Sequence, residues 1–233
     1  GAGALLVAAL LVLLGHAGEQ AAIGVMPPVV GGAFTALTGV LLVADLKQPG
    51  RFHYILTRPN WRSWLTRGAV VLGLYAAVTA AWFVAGLLDS ATAIEVLAVP
   101  AALLAAATAG YTAFLFAQCE GRDLWQTPLM LPMLLSQAVV AGAAAFALAD
   151  VFMAVPSPDA VRWVLLGGVA ATGALIAVEH TARGTRHVEL ALAAMTRGPF
   201  AARFRLGVAA GVVVPAALVV PALAGVAPTA LGA

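Results

Sequence analysis

The chain has 233 residues, of which 63% are hydrophobic and 9% charged, with a formal net charge of +2 and a single cysteine, Cys119. A soluble domain carries about 25% charged residues, so a water-soluble globule is excluded, as is a nucleic-acid-binding module. One cysteine excludes an intrachain disulfide and a four-cysteine metal cluster.

The charges sit between long apolar runs, and a run of about 20 apolar residues spans the hydrocarbon core of a bilayer. In chain order the runs are 1–15, 22–44, 69–88, 96–118, 129–152, 161–178 and 206–226. The first is short and starts abruptly, without the basic n-region of a signal peptide. The expectation is an all-α, polytopic transmembrane helix bundle with seven spans visible of eight, forming a single domain over 1–233 that is cut at both ends.

The connections alternate in charge. The second holds Lys47, Arg51, Arg58, Arg62 and Arg67, the fourth Arg122, and the sixth Arg183, Arg186, Arg197, Arg203 and Arg205. Alternate connections share a side, so eleven of the twelve Lys and Arg lie on one face. The positive-inside rule places that face in the cytoplasm. Trp61, Trp64, Trp125 and Trp163 fall at run ends, where an interfacial aromatic belt belongs. Small residues four apart (Gly167 and Ala171, Gly168 and Thr172, Gly207 and Gly211) predict close helix packing. Pro27, Pro28, Pro100, Pro132, Pro215 and Pro221 predict kinks or thinning in their helices.

Ionisable or strongly polar groups at membrane depth are costly and mark function by default. Asp45 ends the second run. Tyr111 lies in the fourth, with Gln118 two turns on and Glu120 at its end. Glu179 and His180 close the sixth. All approach the basic face, whereas Gln137 sits near mid-depth of the fifth run. Each has a plainer reading: Asp45 in an interfacial ion pair with Lys47 or Arg51, Tyr111 as a belt tyrosine, Gln137 as a helix-to-helix hydrogen bond. Convergence of an acid, a phenol and a Glu–His pair on one side favours binding of a polar head group with proton movement. A bis-histidine haem needs paired histidines at matching depth, and His16, His53, His180 and His187 supply no such pair. Motifs for phosphate, zinc or nucleophilic catalysis are missing.

Three stretches carry a family resemblance. Asp45 through Pro49, Arg51 and Phe52 to Ser63-Trp64 resembles the D-L-x-x-P-x-R-F … S-W signature of NrfD-type membrane subunits, which include the polysulfide reductase membrane anchor. Gly110-Tyr111-Thr112, running on to Gly121-Arg122-Asp123-Leu124-Trp125, resembles their Y-T … G-R-D-L-W segment. Thr196-Arg197-Gly198-Pro199-Phe200 resembles their T-R-G-P-[FY] turn. The resemblance implies eight helices, a quinone (menaquinone or ubiquinone) as the redox partner and no haem or metal in this chain. It implies a docked ferredoxin-like [4Fe–4S] subunit and a catalytic subunit, often a molybdopterin oxidoreductase, in the cytoplasmic (inner) membrane of a bacterium or archaeon. Part of the family's quinone site lies early in helix one, ahead of Gly1. The family's iron–sulfur partner commonly faces the periplasm on the side of connection two, whereas charge argues for the cytoplasm here; both sidedness readings stand.

On these grounds Tyr111, Asp45 and Gln118 are the candidate quinone-binding residues. Asp45, Glu179 and His180 are the candidate proton-handling residues, and Arg51, Arg122 and Asp123 are candidates for partner docking. The alternatives are a secondary transporter or ion channel using the intramembrane acids, for which an inverted repeat is expected and none is evident, and a purely structural anchor.

Overall fold

The computed structural model describes residues 1–16, 21–44, 50, 57–119, 125, 127–181 and 186–225. Asp45, Lys47, Arg51, Glu120, Arg122, Asp123 and Arg183, named above, lie outside the described residues. The helices, in chain order, are α1 (Ala2–Leu13), a π-helical turn (Ala21–Val25) running into α2 (Met26–Ala44), α3 (Trp64–Leu87), α4 (Ala91–Ala117), α5 (Met130–Ala149) and α6 (Pro158–Thr181). They continue with α7 (Arg186–Thr196), α8 (Ala201–Val208), a second π-helical turn (Ala209–Val213) and α9 (Val214–Leu223).

Among the described residues six spans are long and apolar enough to cross a membrane: Ala21–Ala44, Trp64–Leu87, Ala91–Ala117, Met130–Ala149, Pro158–Thr181 and Ala201–Leu223. They coincide with the six long runs of the sequence, and α1 is the shorter apolar seventh. The protein is an all-α polytopic membrane bundle.

An apolar stripe on one side only would leave a helix at the rim; α1 is apolar all round, which suits a central position. It is packed between α4 and α5 and against α2, with Leu5, Val7, Ala8, Ala9 and Leu11 wholly buried. Its approach to α5 depends on glycine. A Cβ on Gly3 would run into the Ala138 carbonyl, and one on Gly142 into the Gly3 carbonyl. Gly86 of α3 meets the Gly24 backbone in the same way. Close backbone contact at small residues is how helices associate where water gives no hydrophobic drive.

The first π-turn has a chemical origin. Pro27 and Pro28 lack N–H groups, so the Ile23 carbonyl loses both its i+4 and i+5 backbone donors. The indole Nε1 of Trp82, on α3 and fully buried, donates to that oxygen at 2.9 Å. A helix-disrupting proline pair is thereby tolerated at depth, because a neighbouring helix satisfies the freed carbonyl. The second π-turn likewise precedes a proline, Pro215, near the start of α9.

Two sequence expectations are refined. Gly168 packs on Val139 and Val140, and Thr172 donates to Ser136 Oγ at 3.1 Å, so that pair lies at the α5–α6 contact. Gly167, Gly207 and Gly211 do not: a Cβ on any of them would meet nothing within 4 Å. The sixth connection also contains structure. An amphipathic helix, α7, runs through it with Arg186, His187 and Glu189 exposed. Its brevity and polar content hid it from a search for spans.

Candidate functional site

At one end of the bundle the His16 ring, just past α1, bonds Ser157 Oγ at 2.9 Å, joining the first and fifth connections. The opposite end carries the start of α3 and the finish of α4. There Trp64 stacks on Phe114 with centroids 4.1 Å apart, and Arg67 lies over Trp64 while its Nε donates to the Trp61 carbonyl at 2.7 Å. The T-R-G-P turn sits at this end too. Its glycine is required by space, since a Cβ on Gly198 would lie 2.8 Å from the Ala194 backbone. The Gly198 and Phe200 amides donate to the Ala193 and Ala194 carbonyls, closing α7 before α8 begins.

One turn inward from the Trp64–Phe114 stack lies Tyr111. Its ring rests on Gly68 of α3, where a side chain would occupy the ring's place. The residue is half-buried and lines a cavity of about 340 Å³ between α1, α2, α3, α4 and α5. Thr35, Thr38 and Phe34 come from α2, Thr108 and Thr112 from α4, and Gln137 and Ala141 from α5. The size falls in the ~300–1,000 Å³ range of small-molecule sites. Most of its hydroxyls are already engaged: Thr35 donates to Gly31 O at 2.7 Å, Thr38 to Phe34 O at 2.7 Å, and Thr112 to Ala109 O at 3.3 Å. Among the threonines Thr108 Oγ1 is the exception. It is buried and has no hydrogen-bond partner among the described residues. A buried hydroxyl without a partner costs about 1–3 kcal/mol, which a bound acceptor removes.

The structure therefore brings Tyr111 and Gln137 to one cavity; the second stood among the polar groups at membrane depth but not among the candidate quinone-binding residues. It does not bring Gln118, Glu179 or His180 there. Gln118 caps the end of α4 and is exposed. His180 stands at the end of α6, with Nδ1 2.7 Å from the Ile176 carbonyl and its ring 5.1 Å from that of Phe204. Its Nε2 is buried with no partner among the described residues. Ile176 and Phe204 line a different cavity of about 470 Å³, with Thr172 and Gly207. Gln137 and Ala141 face both cavities. Asp45 lies outside the described residues. Sequence reading missed Thr108, Thr35 and Thr38, since threonine is common in membrane helices and ordinarily bonds its own helix. It also missed Tyr75, whose side chain is wholly buried with its hydroxyl beside Gly31. A phenol in mid-run, with Thr79 one turn on, was the available signal.

The family model for polysulphide reductase, NrfD, matches residues 1–227. The chain belongs to the NrfD family. No curated protein and no solved structure matches the chain. NrfD proteins are membrane-anchor, quinone-reactive subunits of oxidoreductase complexes, and typically assemble with iron–sulfur and catalytic subunits. Family membership favours the anchor over the transporter that the intramembrane acids alone left open.

Proposed function

We propose that this NrfD-family chain exchanges electrons between a membrane quinone and a docked [4Fe–4S] subunit, and that the Tyr111 cavity receives the quinone head. The supporting observation is the cavity itself: a phenol, an amide and a buried threonine hydroxyl with no partner among the described residues converge in a slot whose other hydroxyls are already bonded to their own helices. Few placed polar groups in an apolar lining is the pattern of a small-molecule site.

A quinone carbonyl is a hydrogen-bond acceptor only, so it needs donors. The Tyr111 and Thr108 hydroxyls and the Gln137 NH₂ are donors. Reduction of a quinone takes up protons as well as electrons, and a phenol that donates in the bound state holds a proton where negative charge develops. Asp45, directly after α2, is the carboxylate proposed to exchange protons between this site and water. Glu179 and His180 are proposed to tune or relay protons at the same end of the bundle, away from the cavity lining. The basic connections, with Arg51, Arg122 and Asp123, are proposed to dock the iron–sulfur partner, which in turn serves a catalytic, often molybdopterin, subunit. Quinone-analogue titration of the assembled complex tests the reading. Saturable binding that weakens in Tyr111→Phe supports it; binding of equal strength in both forms overturns it.

A further inference from the structure

The Tyr111 cavity does not end at α2. Helices α2 and α3 run antiparallel, and along the line between them a second groove of about 400 Å³ follows the first. Thr38, Thr35 and Leu72 belong to the head cavity, whereas Thr35, Gly32, Ala76, Thr79 and Phe83 belong to the groove. Thr35 is the residue they share. Numbers descend on α2 as they ascend on α3, so the groove comes next after the head cavity along the α2–α3 line.

The groove exists because small residues face each other, Gly32 and Ala36 on α2 against Ala76 and Ala80 on α3. Ala36, Ala76 and Ala80 are exposed, so the groove opens at the side of the bundle, towards lipid. Its two hydroxyls are spent, Thr35 on Gly31 O and Thr79 on Tyr75 O, each at 2.7 Å. It offers its occupant no free donor, and the remaining lining is Pro, Val, Gly, Ala and Phe. An apolar, elongated occupant fits. From Thr38 to Pro28 the path covers ten residues of helix, about 15 Å at ~1.5 Å per residue, on the order of half the ~30 Å hydrocarbon core. It starts in the half of the span that ends at Ala44, passes the midpoint, and reaches Pro28 and Phe83 nearer the opposite end. The groove on the other side of Gln137 is chemically different, because it presents the Gln137 amide and Thr172.

We propose that the α2–α3 groove holds the isoprenoid tail of the quinone whose head occupies the Tyr111 cavity, and is its lateral entry from the bilayer. The inference rests on the quinone reading above. It makes Gly32, Ala36, Ala76 and Ala80 determinants of tail length, with Thr35 at the junction of head and tail.

The test is made on the assembled complex in membranes, with a tail-less quinone analogue and with one bearing several prenyl units. Ala76→Leu and Ala80→Phe fill the groove from exposed positions. The expected result is a rise in KM of about tenfold for the long-tailed quinone, with kcat and the tail-less KM unchanged. An unchanged KM for the long-tailed quinone in the filled variants overturns the tail assignment. So does a matching loss with the tail-less analogue, which makes the groove part of the head site or of the fold. Tyr111→Phe assayed with the tail-less analogue reports on the head site separately, so the two readings fail independently. A quinone carrying a photoreactive group on its tail gives a readout that needs no variant. Labelling of Val29, Ala80 or Phe83 supports the proposal, and labelling confined to Val208 and Val212 in the other groove overturns it.

Discussion

Replacing Tyr111 by Phe removes one oxygen and leaves the ring. That ring fills the space over Gly68, so packing between α3 and α4 is retained and the variant is expected to assemble normally. The hydroxyl has no hydrogen bond to any described residue of the chain, so its removal leaves no protein group stranded. What is lost is the bond to the bound head group. A net hydrogen bond is worth about 0.5–1.5 kcal/mol, and ~1.4 kcal/mol is tenfold in an equilibrium constant. Quinone affinity should therefore fall by about 2- to 12-fold, with fivefold the central figure. The assay is quinone KM and analogue affinity, normalised to complex content in the membrane. An unchanged affinity at equal assembly refutes a contact between Tyr111 and the quinone. Reduced assembly with unchanged affinity per complex shows that the hydroxyl serves structure instead.

Asp45→Asn keeps size and removes the titrating group, so turnover should fall ~100-fold or more while quinone binding changes less; stopped-flow turnover against analogue affinity separates the two, and equal losses count against a proton role. Gly68→Ala places a methyl group where the Tyr111 ring lies; a ring displaced by about 1 Å can cost ~100-fold in rate, and wild-type kinetics in this variant contradict the seating of Tyr111 on α3. Trp82→Phe withdraws the donor from the Ile23 carbonyl, and should destabilise the bundle by about 1–3 kcal/mol, read as a lower thermal midpoint in detergent with quinone affinity unaltered in the folded fraction. Charge reversal at Arg58 and Arg62 should weaken co-purification of the iron–sulfur subunit without affecting membrane insertion; cross-links to that subunit from Asp89 or Glu95 instead would place the partner on the other face.

The span pattern was legible because bilayer thickness imposes it. Each of the six long runs in the sequence became a helix whose bounds moved by a few residues, as where 206 became Ala201 and 96 became Ala91. Those shifts have one cause: Arg203, Arg205 and Glu95 are long, polar residues near the helix starts that hydropathy discounts, although a helix end at the interface accepts them readily. The central place of α1 was not legible, since its twelve residues look merely short, and centrality follows from which glycines meet. Gly3 and Gly142 are far apart in sequence, and nothing in either run marks them as partners. The same holds for the link between Trp82 and Ile23. Adjacent prolines announced a disrupted helix, yet only the fold could say which side chain compensates.

The site divides along the same line. Tyr111 stood out because a phenol in an apolar run is rare, and it does line a polar cavity. Glu179 and His180 stood out for the same reason, and they sit at the end of α6 without reaching that cavity's lining. Side of the membrane is fixed by counting spans, whereas position within a face depends on helix azimuth. Azimuth is poorly encoded when a helix is apolar on every side, as α4 is with Ala, Val and Leu around its whole circumference. Thr35, Thr38, Thr108 and Thr112 show the consequence. Thr35 and Thr38 each bond a carbonyl one turn back, so each looks self-sufficient in sequence. Only in the fold do four threonines from two helices meet a phenol and an amide around one space, with Thr108 left to bond whatever enters. A membrane protein can thus keep its charges at the ends of its helices and still build a polar head-group site at depth. Hydroxyls and one amide can be buried there at a cost of a few kcal/mol, well below that of an isolated charge in hydrocarbon. That difference is why hydroxyls and an amide, rather than carboxylates, line the space within the bundle.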